Sequence, residues 1–392
     1  LYNLTMEVKM DINVGLIGYK FMGKAHSHAY LDMPKFFNTK GMPVMKVLCG
    51  RDESAVREVA NKFRWQEVET SWERLVERKD IDLIDIAVPT NIHKEIAIRA
   101  AKSGKHILCE KPLAMNLKEA REILSAVEDA HVKHMIGFNY RRAPAVALAK
   151  KIIDEGKIGK IYHFRAVFLQ ERLIDPSYPL VWRLQREISG SGSLGDLGSH
   201  LIDIARYLVG EFSEVIGMSE TFIKERPLIR QITESGVGTD RAMGKVTVDD
   251  ATTFLARFEN GALGTFEATK LAPGRKSYNS FEVNGSKGTI VFNLERMNEL
   301  QFYSLEDPQE IRGFRTILVT EPVHPYLGAW WPPGHIIGYE HTFIHEIYDL
   351  FESIANDTAT TPNFYDGVKC QEVIEAVELS NKERRWVKPS EL

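Results

Sequence analysis

Two short stretches carry residue types that can move protons and steady charge. The first is Ile107-Leu108-Cys109-Glu110-Lys111-Pro112, an apolar run ending in an acid, a base and a proline. Proline lacks an N–H and keeps the residue before it out of helical φ/ψ. The chain therefore turns there, and Lys111 is aimed off the end of a strand, where an ammonium can grip or polarise an oxygen. A solitary Lys-Pro in a turn is equally a plain surface lysine. The second stretch holds Asp196, His200, Asp203 and Tyr207, spaced by four, three and four. At about 100° per residue these fall within roughly 60° of one another on a helix. A carboxylate one turn before an imidazole can bond it, hold its tautomer and raise its proton affinity, which suits it to general-base work. On a solvated helix face the same pair would be an ordinary ion pair. Gly190, Gly192, Gly195 and Gly198 crowd the start of that helix and let backbone or ligand come close.

The elements that must position these residues follow from hydrophobic period. Leu194, Leu197, Leu201, Ile204, Ala205 and Leu208 recur at three- and four-residue steps and predict a helix over 193–209, stopped by Gly210. Before Lys111, the strand 12–17 runs into Gly18 and a helix, the context in which a dinucleotide fingerprint has meaning. Gly18 and Gly23 occupy the outer positions of G-x-G-x-x-G, with Lys20 in the middle and Phe21 and Met22 beside it. Lys20 either reaches over a phosphate or marks a loop that binds none. Strands at 44–49, 83–88, 107–109 and 135–138 alternate with helices at 53–63, 92–103 and 117–132, which implies a parallel, doubly wound sheet. The residue after the second strand usually decides which dinucleotide is held. Here it is Gly50, followed by Arg51 and Asp52. With Lys20, Arg51 tilts the charge toward NADP; the alternative is that Arg51 stacks on adenine and Asp52 takes the ribose, giving NAD.

From residue 142 the pattern changes to strands of period two. Runs at 252–258 and 262–269 are joined through Asn260-Gly261, a hairpin signal. Further runs at 162–168, 280–283, 288–292, 299–303 and 316–320 predict an α+β domain with one large, mainly antiparallel sheet, closed by helices at 340–354 and 365–382. The expected division is thus a Rossmann-type α/β domain over 10–141 and an α+β domain over 142–392. The second sheet's open face is expected to meet another subunit, giving a homo-oligomer, a dimer or tetramer. The segment 226–245 is long, charged and aperiodic, and reads as either a lid or a mobile stretch.

Fifty basic residues against fifty-four acidic ones give a net charge of −4. That balance argues against nucleic acid or an anionic membrane held by bulk electrostatics. Three widely spaced cysteines, Cys49, Cys109 and Cys370, suggest neither a disulfide framework nor a zinc site. The first ten residues lack an apolar signal core and no run of 18 apolar residues occurs. The expected location is the cytoplasm.

Glu110-Lys111-Pro112 after a dinucleotide-type sheet, followed by Gly195-Asp196-Leu197-Gly198-Ser199-His200-Leu201-Ile202-Asp203, resembles the Gfo/Idh/MocA oxidoreductase family. The stretches 138–142, 190–212 and 329–339 look most like its levoglucosan and inositol dehydrogenase branch. Lys20 and Gly50 depart from the usual pattern, which bears on the dinucleotide. The resemblance implies an NAD(P)-dependent dehydrogenase of sugars, anhydrosugars or cyclitols, with His200 as base and Lys111 and Asp196 assisting, and no metal. It also implies that Pro89, Thr90, Asn91, His93, Glu110 and Asn139 lie near the cofactor. Candidate substrate contacts are Tyr140, Arg142, Gln170, Trp182, Arg183, Trp330 and Trp331; the tryptophan pair could equally be core or dimer packing. Two other readings keep the fold: a glycoside hydrolase that retains its dinucleotide, and a non-catalytic sensor.

Overall fold

The computed structural model describes residues 9–233 and 236–392. The first strands are β1 (Met10–Ile17), β2 (Gly41–Cys49), β3 (Glu67–Glu69), β4 (Leu83–Ile86), β5 (His106–Cys109) and β6 (His134–Ile136). They form one sheet of order β3-β2-β1-β4-β5-β6, parallel throughout. The crossovers carry α1 (Phe21–Phe36), α2 (Glu53–Phe63), α3 (Trp72–Glu77), α4 (His93–Lys102) and α5 (Leu117–Asp129). This is the expected doubly wound sheet, and its chain order reverses between β1 and β4, where such sheets bind ligands at their carboxyl edge. β3 and α3 escaped the sequence reading because three and six residues are too few to show a period.

The chain continues with α6 (Pro144–Asp154), β7 (Ile161–Leu169), α7 (Arg186–Ser189) and α8 (Ser199–Leu208), then β8 (Phe212–Glu220), β9 (Glu225–Thr233) and β10 (Gly236–Lys245). After them come β11 (Ala251–Phe258), β12 (Leu263–Thr269), β13 (Tyr278–Gly285), β14 (Gly288–Asn293), β15 (Glu299–Ser304) and β16 (Arg315–Leu318). The order of the eight-stranded sheet is β16-β15-β14-β13-β7-β12-β11-β8, antiparallel except for the pair β7–β12. Its strands alternate buried and exposed positions: Phe254, Ala256 and Phe258 are buried, while Thr253, Leu255 and Arg257 are exposed. The segment 226–245, which reads as aperiodic, falls almost wholly within the antiparallel hairpin β9–β10; residues 234–235 lie outside the described part, as do residues 1–8 of the opening stretch.

The last helices are α9 (Glu340–Ala355) and α10 (Phe364–Glu383). Contacts divide the chain into two units, and the first is discontinuous. It takes residues up to Leu113, Lys118–Arg142 and also Tyr326–Val368. The reason is hydrophobic: Phe343, Ile344, Ile347, Leu350 and Phe351 of α9 share one core with Tyr30 and Met33 of α1 and with Leu83 and Leu108 of the parallel sheet. A division at a single point near residue 141 does not capture this return. Among the described residues no helix is long and apolar enough to cross a membrane.

Candidate active site

In the first unit the candidate residues gather at the carboxyl ends of β1, β2, β4 and β5. Gly18 follows β1 with φ +118°, and a Cβ on it would lie 2.2 Å from the Ala87 carbonyl oxygen, so only glycine fits. The sixteen-residue α1 starts immediately after Lys20, which gives it no side-chain cap, and its first turn holds no acid. A helix start of that kind suits a pyrophosphate, through its N–H groups and the positive end of its dipole. These features fit a dinucleotide. A Cβ on Gly50 would meet the Tyr19 ring at 2.2 Å, so the position that often carries an acid is filled by an aromatic face. Asp52 accepts the Ala55 N–H at 3.0 Å as the cap of α2, while Arg51 is exposed.

Glu110 continues the ladder, its N–H donating to the Ile86 carbonyl at 3.0 Å, and the Lys111–Pro112 bond after it is cis. The Glu110 carboxylate turns inward: one oxygen accepts the Lys111 N–H at 3.2 Å and the other lies 3.2 Å from His26 Nε2. The side chain is buried and joins His26 to the backbone of the turn. Pro89 leads into the one-turn helix Thr90–Ile92. His93 is buried, with its ring nitrogens 3.1 Å from the Pro112 carbonyl and 2.9 Å from that of Val88, and so ties the two turns together. Burial lowers its proton affinity below the usual histidine range, against the raising effect of those carbonyls. Asn139 donates to the Thr342 hydroxyl at 2.8 Å. Tyr140 lies beside Tyr339, ring centroids 6.3 Å apart.

Three further expected substrate contacts lie in the first unit. Arg142 is buried within the first unit, donating to Asp349 at 2.9 Å and to the Thr361 carbonyl at 2.6 Å. Trp330 packs on Phe36 and Phe37, and its Nε1 donates to His345 at 2.8 Å. Trp331 also meets Phe36. Phe36 is the last residue of α1, a helix roughly 24 Å long, so both indoles lie at its far end from the glycine turn. Trp330 is half-buried in this aromatic packing, while Trp331 keeps about half of its surface exposed.

In the second unit the predicted helix is interrupted. Leu194–Gly198 forms a π turn before α8. The Asp249 carboxylate receives the Gly192 and Leu194 N–H groups, both at 2.8 Å, and fixes this entry. The six expected apolar positions are buried, and so are His200 and Asp203, so the second line of residues is no solvated face. The His200 ring lies 6.1 Å from that of Phe168, near the end of β7. Gln170 follows β7 and Lys270 follows β12 at the same level, since Leu169 pairs with Thr269. Lys270 is almost wholly buried, and its ammonium lies 2.9 Å from an Asp196 carboxylate oxygen. The second unit thus gathers an imidazole, a carboxylate and a buried cation at adjoining strand ends. Trp182 and Arg183 stand on the one-turn helix Trp182–Leu184, the guanidinium 4.3 Å from the indole centroid.

Sequence reasoning missed Lys270 and Asp249. A signal for Lys270 existed: Gly264, Phe266 and Ala268 are the buried positions of β12, and two more residues along the same face is 270. Asp249 had no such signal, because its partners lie some 55 residues away in the chain.

Comparison with known proteins agrees with this construction. Residues 12–138 match an oxidoreductase family with an NAD-binding Rossmann fold, and residues 146–291 match the GFO/IDH/MocA C-terminal domain. The chain is 46% identical over 387 residues to a levoglucosan dehydrogenase from Pseudarthrobacter phenanthrenivorans, covering 96% of this chain and 98% of that protein. It superposes on a crystal structure of an oxidoreductase domain protein from Kribbella flavida with a TM-score of 0.92 and 48% identity, over 97% of this chain and 99% of that one. A levoglucosan dehydrogenase solved with NADH and levoglucosan gives a TM-score of 0.92 at 46% identity, with the same coverage.

Proposed function

The chain belongs to the GFO/IDH/MocA oxidoreductase family, and from that premise we propose that it oxidises a secondary hydroxyl of an anhydrosugar, sugar or cyclitol. It is an NAD(P)-dependent oxidoreductase; bound dinucleotide supplies the hydride acceptor. The observation that carries the reading is the Lys270–Asp196 ion pair beside His200 at the ends of β7 and β12. An alcohol gives up hydride only as its proton leaves. In this reading His200 takes that proton, and Asp196, paired with Lys270, orients the imidazole or bonds the substrate. Lys111 supplies positive charge to the developing alkoxide, a stabilisation on the order of several kcal/mol for a preorganised cation. Gln170, Trp182, Arg183 and Tyr140 remain the candidate sugar contacts. The 46% identical levoglucosan dehydrogenase makes an anhydrosugar the first substrate to try.

The charge at the end of β2 favours NADP, with Arg51 exposed and Asp52 engaged as a cap. The opposing observation is that the similar levoglucosan dehydrogenase structures hold NADH. The homo-oligomer and the cytoplasmic location belong to the same proposal. They are supported by the exposed Leu255, Leu263 and Met218 on the outer face of the large sheet, and by three buried free cysteines.

Purified protein, a panel of anhydrosugars, sugars and cyclitols, and each dinucleotide at 340 nm test the assignment. Net reduction with a sugar alcohol supports it. Turnover of a glycoside without net reduction would replace it with the hydrolase, and binding without turnover with the sensor.

A further inference from the structure

The first unit buries a set of titratable side chains that the reaction as assigned does not use. All four residues of β4, Leu83-Ile84-Asp85-Ile86, are buried, so a carboxylate stands in the middle of the sheet. Two residues one turn apart on α1 meet it. His26 Nδ1 lies 3.0 and 2.9 Å from the two Asp85 oxygens, and the Tyr30 hydroxyl donates to Oδ2 at 2.8 Å. Asp85 pairs in register with Leu108, so two residues on, Glu110 stands on the same face of the sheet. The second ring nitrogen of His26 faces Glu110 Oε1 at 3.2 Å, and Glu110 Oε2 accepts the Lys111 backbone N–H at 3.2 Å. One unbroken run of hydrogen bonds therefore leads from α1 to the backbone of Lys111.

His26 has no exposed surface. Around it stand Asp85 from β4, Glu110 from the end of β5, Tyr30 from its own helix, and Phe343 of α9 with ring centroids 5.6 Å apart. Glu346 of α9 also acts on it electrostatically. Burial by itself would drive the ring neutral. Asp85 first, and then Glu110, outweigh it and hold the proton affinity well above the usual histidine value. A neutral imidazole donates from one nitrogen only and would turn a lone pair on one of the two carboxylates.

We propose that His26 is a positioning residue for the reaction: donating to Asp85 and Glu110 from its two nitrogens, it fixes the carboxylate that holds the Lys111 N–H and so sets the direction in which Lys111 leaves the strand. The inference rests on the reading of Lys111 as the cation that assists the reaction. Glu110 without its partner has three rotatable bonds free to swing the acceptor away, and a cation misplaced by an ångström forfeits most of its effect on a transition state.

The test is a double-mutant cycle on the full-length enzyme, with turnover and dinucleotide affinity measured separately. His26→Asn keeps one donor and loses the other. It is expected to lower kcat roughly 10- to 100-fold, with dinucleotide affinity within about threefold of wild type by fluorescence. Combined with Lys111→Ala, it should cost nothing further, because its effect is transmitted through Lys111. Losses that multiply in the double variant overturn the proposal, since they place His26 in general folding of the unit. If His26→Asn does not fold, Glu110→Gln is used in the same cycle against Lys111→Ala, with the same two outcomes. Near-normal turnover of Lys111→Ala alone is a different result. It removes the role assigned to Lys111, and this inference with it.

Discussion

Replacing Glu346 by glutamine should make the protein more stable at neutral and alkaline pH. Glu346 lies in α9, wholly buried, and neither carboxylate oxygen has a hydrogen-bond partner among the described residues. Arg142 Nη1 approaches only to 3.9 Å, too far for a hydrogen bond, while the Nε of the same guanidinium donates to Asp349 at 2.9 Å. Desolvation therefore wins over that attraction, and the carboxyl is pushed up from 4.5 to about 8. The folded protein holds a proton that the unfolded chain gives up. Stability from this source is complete below about pH 4.5 and is lost as pH rises toward 8, at about 1.4 kcal/mol per pH unit. The loss is about 3 kcal/mol at pH 7 and about 5 kcal/mol above pH 8. Glutamine has no proton to lose, so Glu346→Gln removes that slope whatever its own burial costs. With an unfolding entropy of about 2.1 cal/mol/K per residue over 392 residues, 3 kcal/mol corresponds to about 4 °C in Tm. Thermal unfolding of both proteins across pH 5 to 8.5 should show the variant gaining on wild type as pH rises. A difference that stays constant with pH, or shrinks, would refute the argument.

Lys111→Ala and His200→Ala should each lower kcat by about 100-fold or more while dinucleotide affinity changes little, measured by steady-state kinetics and fluorescence titration. Normal turnover in either one removes its assigned role. Lys270→Met should lower kcat/KM about 10- to 100-fold, with Lys270→Arg recovering part of it, because only the arginine restores a cation beside Asp196. Equal activity of the two variants would show that the charge is immaterial. Arg51→Ala should raise the KM for NADP about tenfold while leaving that for NAD within a factor of two. Equal effects on both cofactors would take Arg51 away from the 2′-phosphate.

Residues adjacent in the chain already determined much of this protein. Alternation of short apolar strands with helices of ten or more residues dictates a parallel, doubly wound sheet, and period two after residue 142 dictates the second sheet. The Glu110-Lys111-Pro112 turn and the Asp196–His200 spacing are local patterns too, readable because each lies within one element. Tertiary structure alone decided what those groups touch. Asp85 looks like a flaw in an apolar strand until α1 brings His26 and Tyr30 across 59 and 55 residues. Lys270 becomes the partner of Asp196 only when β12 lies parallel to β7. Glu110 reads as an acid beside a ligand, yet its face of the sheet is covered by α1 and α9, and it turns inward. Trp330 and Arg142 had the right chemistry for a sugar, but the return of 326–368 to the first core packs one, half-buried, in an aromatic cluster and buries the other in an ion pair. The physical reason is the same in each case: hydrophobic period marks which face of an element is hidden, and only long-range packing says what hides it.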